Sequence, residues 1–217
     1  MSFANQLIDL TDINCQEIEK LPQMRQMLAG DFSEEQYVRF MKDLYPIVLH
    51  FCPTMATAAG RCAQQYDLVK IYLYDHIHEE KGHEKIVLED LSSFDIAPEK
   101  VIESPVREPV QAMVAFNYYS SLVGNPCSVL GMIYVLEIIS SVYSGKVAQA
   151  VSRSLGRHAS QGFVFLHSHS AVDVEHMTKL RHLFQTIQSP DIFSDLMKSV
   201  KMNFYLFSQI LNNKNCG

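Results

Sequence analysis

Three short stretches of this chain hold residues that could do metal chemistry. In DHIHEEKGHEKIVLEDL, Glu80 and His83 are three apart and His76 lies one turn earlier, a spacing that places them on one helix face. In HSHSAVDVEHM, His169, Asp173 and His176 stand at i, i+4 and i+7, a single helical stripe. In VLGMIYVLEIISSVY, Glu137 is the only charge in a long apolar run. A carboxylate buried there needs a cation, a hydrogen-bond network or a proton. The chain has nine histidines, and six of them fall in the windows 76–83 and 167–176. Clustering of this kind is what metal ligation requires.

Each stretch also has a plain explanation. The Glu80–His83 pair suits a solvated surface, and the His169 stripe, bordered by Glu175, Lys179 and Arg181, suits a charged face. Glu137 could pair with His158 or Arg153 in the core. Taken together they carry more weight. A set of Asp, Glu and His without cysteine, spread over three helices, is the ligand chemistry of non-haem iron or manganese. Six donors exceed what one metal with open positions uses, and they suit two ions between which O2 is reduced. A structural zinc site would be closed and would draw on cysteine.

The elements that must position these groups are helical. Apolar residues recur every three to four positions, no stretch alternates with period two, and the nine glycines and eight prolines mostly separate long periodic runs. A first helix lies within Asn5–Leu28, interrupted near Pro22 and ended by Gly30. Ser33 and Gln36 form a capping box for the second, which runs through Pro46 and Pro53 with a kink expected at each. The third spans about Asp67–Ser93 and carries Gly82 within it. A loop with one short turn follows. Further helices cover about Val106–Val123, Cys127–Leu155, Gly162–Ile187 and, after the Ser189-Pro190-Asp191 start signal, a last one to about Leu211. The expectation is an all-α chain, residues 1–217 forming a single-domain bundle of about seven helices.

Composition narrows the function. The 217 residues are 47% hydrophobic and 19% charged, an ordinary globular balance, with a net charge of -6 and no basic run. Nucleic acid and anionic membrane are therefore poor partners. The five scattered cysteines and an N-terminus without a signal core suggest a cytoplasmic protein with reduced thiols. The apolar run Val129–Tyr143 is shorter than the roughly 20 residues of a membrane span. The ten methionines would suit an adaptable binding surface as well as a core.

The strings EEKGHEKIVLEDL, YVLEIIS and HSHSAVDVEHM together resemble the haem-oxygenase-like di-iron oxidases and oxygenases, a group that includes the CADD protein and shares a seven-helix fold with haem oxygenase, the TenA thiaminases and PqqC. The resemblance follows the helix order over nearly the whole chain, and its specific part lies in the three ligand helices. It implies that Glu80, His83, Glu137, His169, Asp173 and His176 hold two iron ions, manganese being possible, without haem. Some members add a glutamate from the second helix, where this chain offers His50. CADD-like members space the third-helix pair by seven, which selects His76 with His83, and Glu79 is a lesser candidate.

The implied activity is O2-dependent oxidation of a small, largely apolar or amine-bearing substrate, in a fold whose members are commonly homodimers. Rival readings on the same fold are a TenA-type aminopyrimidine hydrolase using Cys127, a cofactor-free PqqC-like oxidase, and a haem oxygenase. The last needs a histidine early in the first helix, and the first histidine here is His50. A ferritin-like carboxylate protein would use two Glu-x-x-His units and leave His169 without a role. The rival from another class is a protein-interaction bundle of CADD type.

Overall fold

A computed structural model describes residues 3–187 and 189–212, with side chains described for all of these except residues 3–4 and 170–174. The described residues form helices and no β-strand. The α-helical segments are α1 (Phe3–Lys20), α2 (Pro22–Ala29), α3 (Glu34–Arg61), α4 (Asp67–Glu80), α5 (His83–Ser92), the short α6 (Pro98–Ile102), α7 (Glu108–Leu122), α8 (Val129–Ile139), α9 (Gly145–Ser154), α10 (Val164–Thr186) and α11 (Pro190–Asn212). Counting α1–α2, α4–α5 and α8–α9 each as one interrupted rod gives seven rods plus α6, as the apolar period indicates.

Local chemistry explains the boundaries. Ser33 accepts the Gln36 amide while the Gln36 side chain accepts the Ser33 amide, so the expected capping box starts α3. That helix continues as one element through Pro46 and Pro53. At the start of α10, Asp90 of α5 accepts the amides of Val164 and Phe165 at 3.0 and 2.8 Å. This caps α10 from another element and places His169 relative to α5.

Two helices differ from expectation, and both differences lie at the site. The third helix does not run through Gly82. Lys81 is extended and Gly82 has φ 92°, a left-handed conformation that β-carbon-bearing residues avoid, so the chain breaks and restarts at His83. The long central helix is interrupted by a π-helical turn over Ser140–Ser144, where one extra residue enters the hydrogen-bond ladder. From Pro126 to Ser154 this rod is long and apolar enough to cross a membrane, but 72% of its most apolar stretch is buried inside the bundle. Its apolar character thus serves the core.

The α8 segment is buried on nearly all sides. It packs on α11, where a Cβ at Gly131 would come within 2.6 Å of Ser199 Cβ, so only glycine permits the approach. Asn117 of α7 and Asn203 of α11 exchange amide hydrogen bonds at 2.8 and 3.1 Å in the interior. The arrangement satisfies buried polar groups that would otherwise cost stability.

Candidate metal centre

Alpha helices α4, α5, α8 and α10 bring the donors together. Two groups of side chains have donor atoms within 4.8 Å of one another: His76, Glu80, Glu137 and His176 in one, and Glu80, His83 and His169 in the other. Glu80 belongs to both. Its Oε1 lies 3.5 Å from His176 Nδ1, whereas its Oε2 lies 2.8 Å from His83 Nδ1 and 3.8 Å from His169 Nε2. One carboxylate therefore faces both groups, one oxygen to each.

The first group is deeply buried. His76, His176 and Glu137 are 1%, 2% and 5% exposed. Glu137 has an oxygen 3.2 Å from His76 Nε2 and another contact of 3.2 Å to His176 Nδ1. The His76 distance would allow a hydrogen bond, yet neither ring nitrogen of His76 has a correctly aimed partner, and Glu80 Oε1 is also buried without one. These atoms converge on common space more than they aim at each other. Burial pushes the Glu137 carboxyl up, but His176 and His76 outweigh it and hold its pKa below the usual value. The same balance, with His169 and His83 as partners, holds Glu80 well below the usual carboxylate range.

In the second group the tautomer can be assigned from geometry. His169 Nδ1 lies 2.8 Å from the Phe165 carbonyl, which only accepts, so the proton sits on Nδ1. Nε2 is left with its lone pair facing His83 Nδ1 at 3.1 Å and Glu80. A backbone carbonyl behind the ring is the usual support for a metal-binding histidine. Oxygen and imidazole donors, a shared carboxylate and orphaned buried nitrogens fit a pair of iron or manganese ions.

The expected donors are thus met as follows. Glu80, His83, Glu137, His169 and His176 come together, and His76 joins them as a full member of the buried group. Asp173 lies outside the described side chains. Glu79 stands behind the cluster, its Oε2 3.4 Å from His176 Nε2 and 3.8 Å from His76 Nδ1, and outside both donor groups. His50 stays on α3 with its Nδ1 3.0 Å from Tyr118 Oη and is not brought to the donors. The helical argument for Glu80 and His83 needs correcting. They belong to different helices, and the turn at Lys81–Gly82 joins them. His158 pairs with Ser160 in an exposed loop, so it is no core partner for Glu137.

A cavity of about 110 Å3 opens beside the donors. Its floor includes Glu80, Glu137 and His169, and its walls are Met24, Met27, Phe40, Leu44, Phe51 and other apolar side chains of α2, α3, α9, α10 and α11. Ser140 and Ser144 of the π-helical turn also face it, their hydroxyls 2.9 Å apart. The periodicity hid the turn, although Ser140-Ser141 and Gly145 in an apolar helix mark where it weakens. Cys127 is fully buried, lines neither this cavity nor the groove described below, and contacts Cys62. That contact and its burial push its thiol up, away from the thiolate a nucleophile needs.

Residues 38–202 match the sequence profile of a family described as iron-containing redox enzymes. The chain belongs to that family. Among solved structures, the iron-containing redox enzyme is similar to a domain of unknown function with a haem oxygenase-like fold from Shewanella denitrificans, with TM-score 0.88 and 22% identity over 97% of this chain and 90% of that one. A TenA homologue from Pseudomonas syringae pv. tomato aligns with TM-score 0.81 and 16% identity, covering 97% and 91% of the two chains. Haem oxygenase from Leptospira interrogans aligns with TM-score 0.73 and 19% identity, covering 98% and 99%. These likenesses establish the haem oxygenase-like fold. None of the curated protein sequences matches this member of the iron-containing redox enzyme family.

Proposed function

We propose that this member of the iron-containing redox enzyme family is an O2-activating non-haem oxidase or oxygenase that holds two iron ions, with manganese as the other metal its donors suit. The observation that carries this reading is Glu80, whose two oxygens face two separate donor groups. His76, Glu137 and His176 would hold one ion, His83 and His169 the other, with Glu80 between them and Asp173 adding to the set. Bound there, the ions supply electrons to O2 in the presence of an organic substrate.

The protein's own part is positional. The Phe165 carbonyl keeps His169 Nε2 deprotonated and aimed inward. Tyr72 stacks on His76 at 5.4 Å and 14°, and Phe51 meets its edge, so that ring is held by packing. The apolar cavity wall excludes water and orients a substrate whose buried part is hydrocarbon. Among the described residues its wall hydroxyls are those of Ser140 and Ser144 besides the Tyr143 ring, whose hydroxyl is bonded to Glu19 and Cys15. Among the described residues no wall carboxylate outside the donor set faces the cavity to pair with an ammonium group, which favours a largely apolar substrate over an amine-bearing one. We place the reaction in the cytoplasm, with the four described cysteines as free thiols, and in a homodimer.

The test is metal analysis of iron-grown protein, then anaerobic Fe(II) loading and exposure to O2 with oxygen uptake recorded. About two ions per chain and O2 consumption that depends on them are expected. Binding of less than about one ion per chain would defeat the reading. Activity that survives metal removal but is lost on alkylating Cys127 would move the chain to the TenA-type hydrolase.

A further inference from the structure

The donor cluster has a second side, where carboxylate, ammonium and imidazole groups stand among apolar side chains. Between α4 and α10 runs a groove of about 480 Å3 lined in part by Asp75, His76, His78, Glu79, Lys179 and His182. We propose that this groove is the port through which a hydrated divalent cation reaches the donors, with Glu79 as the transfer ligand and Lys179 as the latch upon it. The proposal rests on the metal reading above and concerns how the cluster is filled.

The cost of dehydration selects the route. A dication can shed water only where other donors replace it, and among its described residues the wall of the 110 Å3 cavity is hydrocarbon except for the neutral hydroxyls of Tyr143, Ser140 and Ser144, with no charged group outside the donors themselves. The groove offers carboxylates and imidazoles along its length. It also reaches the cluster directly, because His76 lines the groove while being 1% exposed. Its Nδ1 lies on the Glu79 side, 3.8 Å from Oε2, and its Nε2 lies 3.2 Å from Glu137. His176 is placed likewise, with Nε2 3.4 Å from Glu79 and Nδ1 3.2 Å from Glu137. Both rings stand between Glu79 outside and Glu137 inside and offer a nitrogen to each.

Lys179 occupies the outer carboxylate. Its Nζ is 2.6 Å from Glu79 Oε1 and 3.1 Å from Glu175 Oε1. The Glu79 and Lys179 side chains are 34% and 41% exposed, so an ion from solvent can reach them. An arriving dication displaces the ammonium, which keeps Glu175 as its partner. The cation then passes from Glu79 to Glu137 and Glu80 as the imidazoles turn their nitrogens to it.

The experiment is stopped-flow mixing of metal-free, full-length protein with Co(II), followed by the visible absorption of the bound ion. Glu79→Gln should slow uptake by about 10-fold or more, and Lys179→Met should speed it by a comparable factor, since charge-lined clefts alter on-rates by about 10 to 10³. Lys179→Arg should behave as wild type, and the wild-type rate should fall as salt rises. Final stoichiometry should be unchanged in all three variants. Rates within about twofold of wild type in both Glu79→Gln and Lys179→Met would overturn the port. So would a lower stoichiometry in Glu79→Gln, which would make Glu79 a resident ligand. A wild type that takes up no Co(II), Fe(II) or Mn(II) overturns the metal reading itself, a result distinct from unchanged rates with full uptake.

Discussion

The two donor groups around Glu80 are built differently. On the His76, Glu137, His176 side every donor is buried, two of the helices that supply them run unbroken through the donor residues, and neither ring nitrogen of His76 has an aligned partner. On the His83, His169 side the donors already hydrogen-bond each other, and the His83 side chain is 24% exposed at the first turn of α5. The buried group has more to gain from a cation, because its unpaired atoms cannot turn to water. The other group is partly satisfied without one. The difference teaches that the two positions should fill in order, the buried one first.

Breaking the shared residue should have the largest effect. Glu80→Ala removes a donor from both groups, and O2-dependent turnover should fall by at least about 10³-fold, roughly 4 kcal/mol of barrier, in an oxygen-electrode assay. Next come the group-specific variants. His176→Ala should abolish the tighter of two binding phases in an Fe(II) or Co(II) titration. His169→Ala should abolish the weaker phase and spare the tighter. Equal effects from the two would erase the ordering.

The His83 side can also be probed through its backbone. Gly82→Ala places a Cβ at φ 92°, where the surrounding space is open and the strain is entirely conformational. A loss of about 1–2 kcal/mol is expected, seen as a melting temperature lower by roughly 2–8 °C. Because the strain falls on the turn joining Glu80 to His83, the weaker metal phase should suffer more than the tighter.

The smallest effect concerns Asp90, which caps α10 ahead of His169. Asp90→Asn keeps one acceptor and should cost about 1 kcal/mol or less in urea unfolding. Burial raises the Asp90 carboxyl above its usual value, and the amides of Phe165 and Val164 lower it by less. A group raised in the folded state contributes stability that is present below its unfolded pKa and is lost as pH rises through the folded one. The wild type should therefore gain on Asp90→Asn as pH falls from 7 towards about 4. A gap that widens with rising pH would contradict this.

Much of the site was legible in the residues. His169 and His176 were placed on one face by helical period, and they do meet donors of α4, α5 and α8 because α10 is continuous. Glu137 stood out because a lone carboxylate in an apolar run must find partners, and its partners are His76 and His176. Glu80 and His83 do come together, but not on the single helix face that the spacing indicated, since the chain leaves the helix at Lys81 and the turn closes the 2.8 Å contact. His76 was undecided because period alone leaves a helix face without saying what it faces. The π-helical turn was invisible because it changes the ladder by one residue without changing composition.

Local rules acting within a few residues thus determined the helices, the Ser33 cap and the types of donor that could bind metal, since spacing and side-chain chemistry are properties of the chain. The tertiary structure decided the rest: that Glu80 faces two groups, that His76 is a member and His50 is not, and that an apolar cavity adjoins one side of the cluster while a groove carrying Asp75, Glu79 and Lys179 adjoins the other. Those facts depend on how separate helices pack. A helix's period specifies which residues share a face, and only its neighbours decide what that face meets.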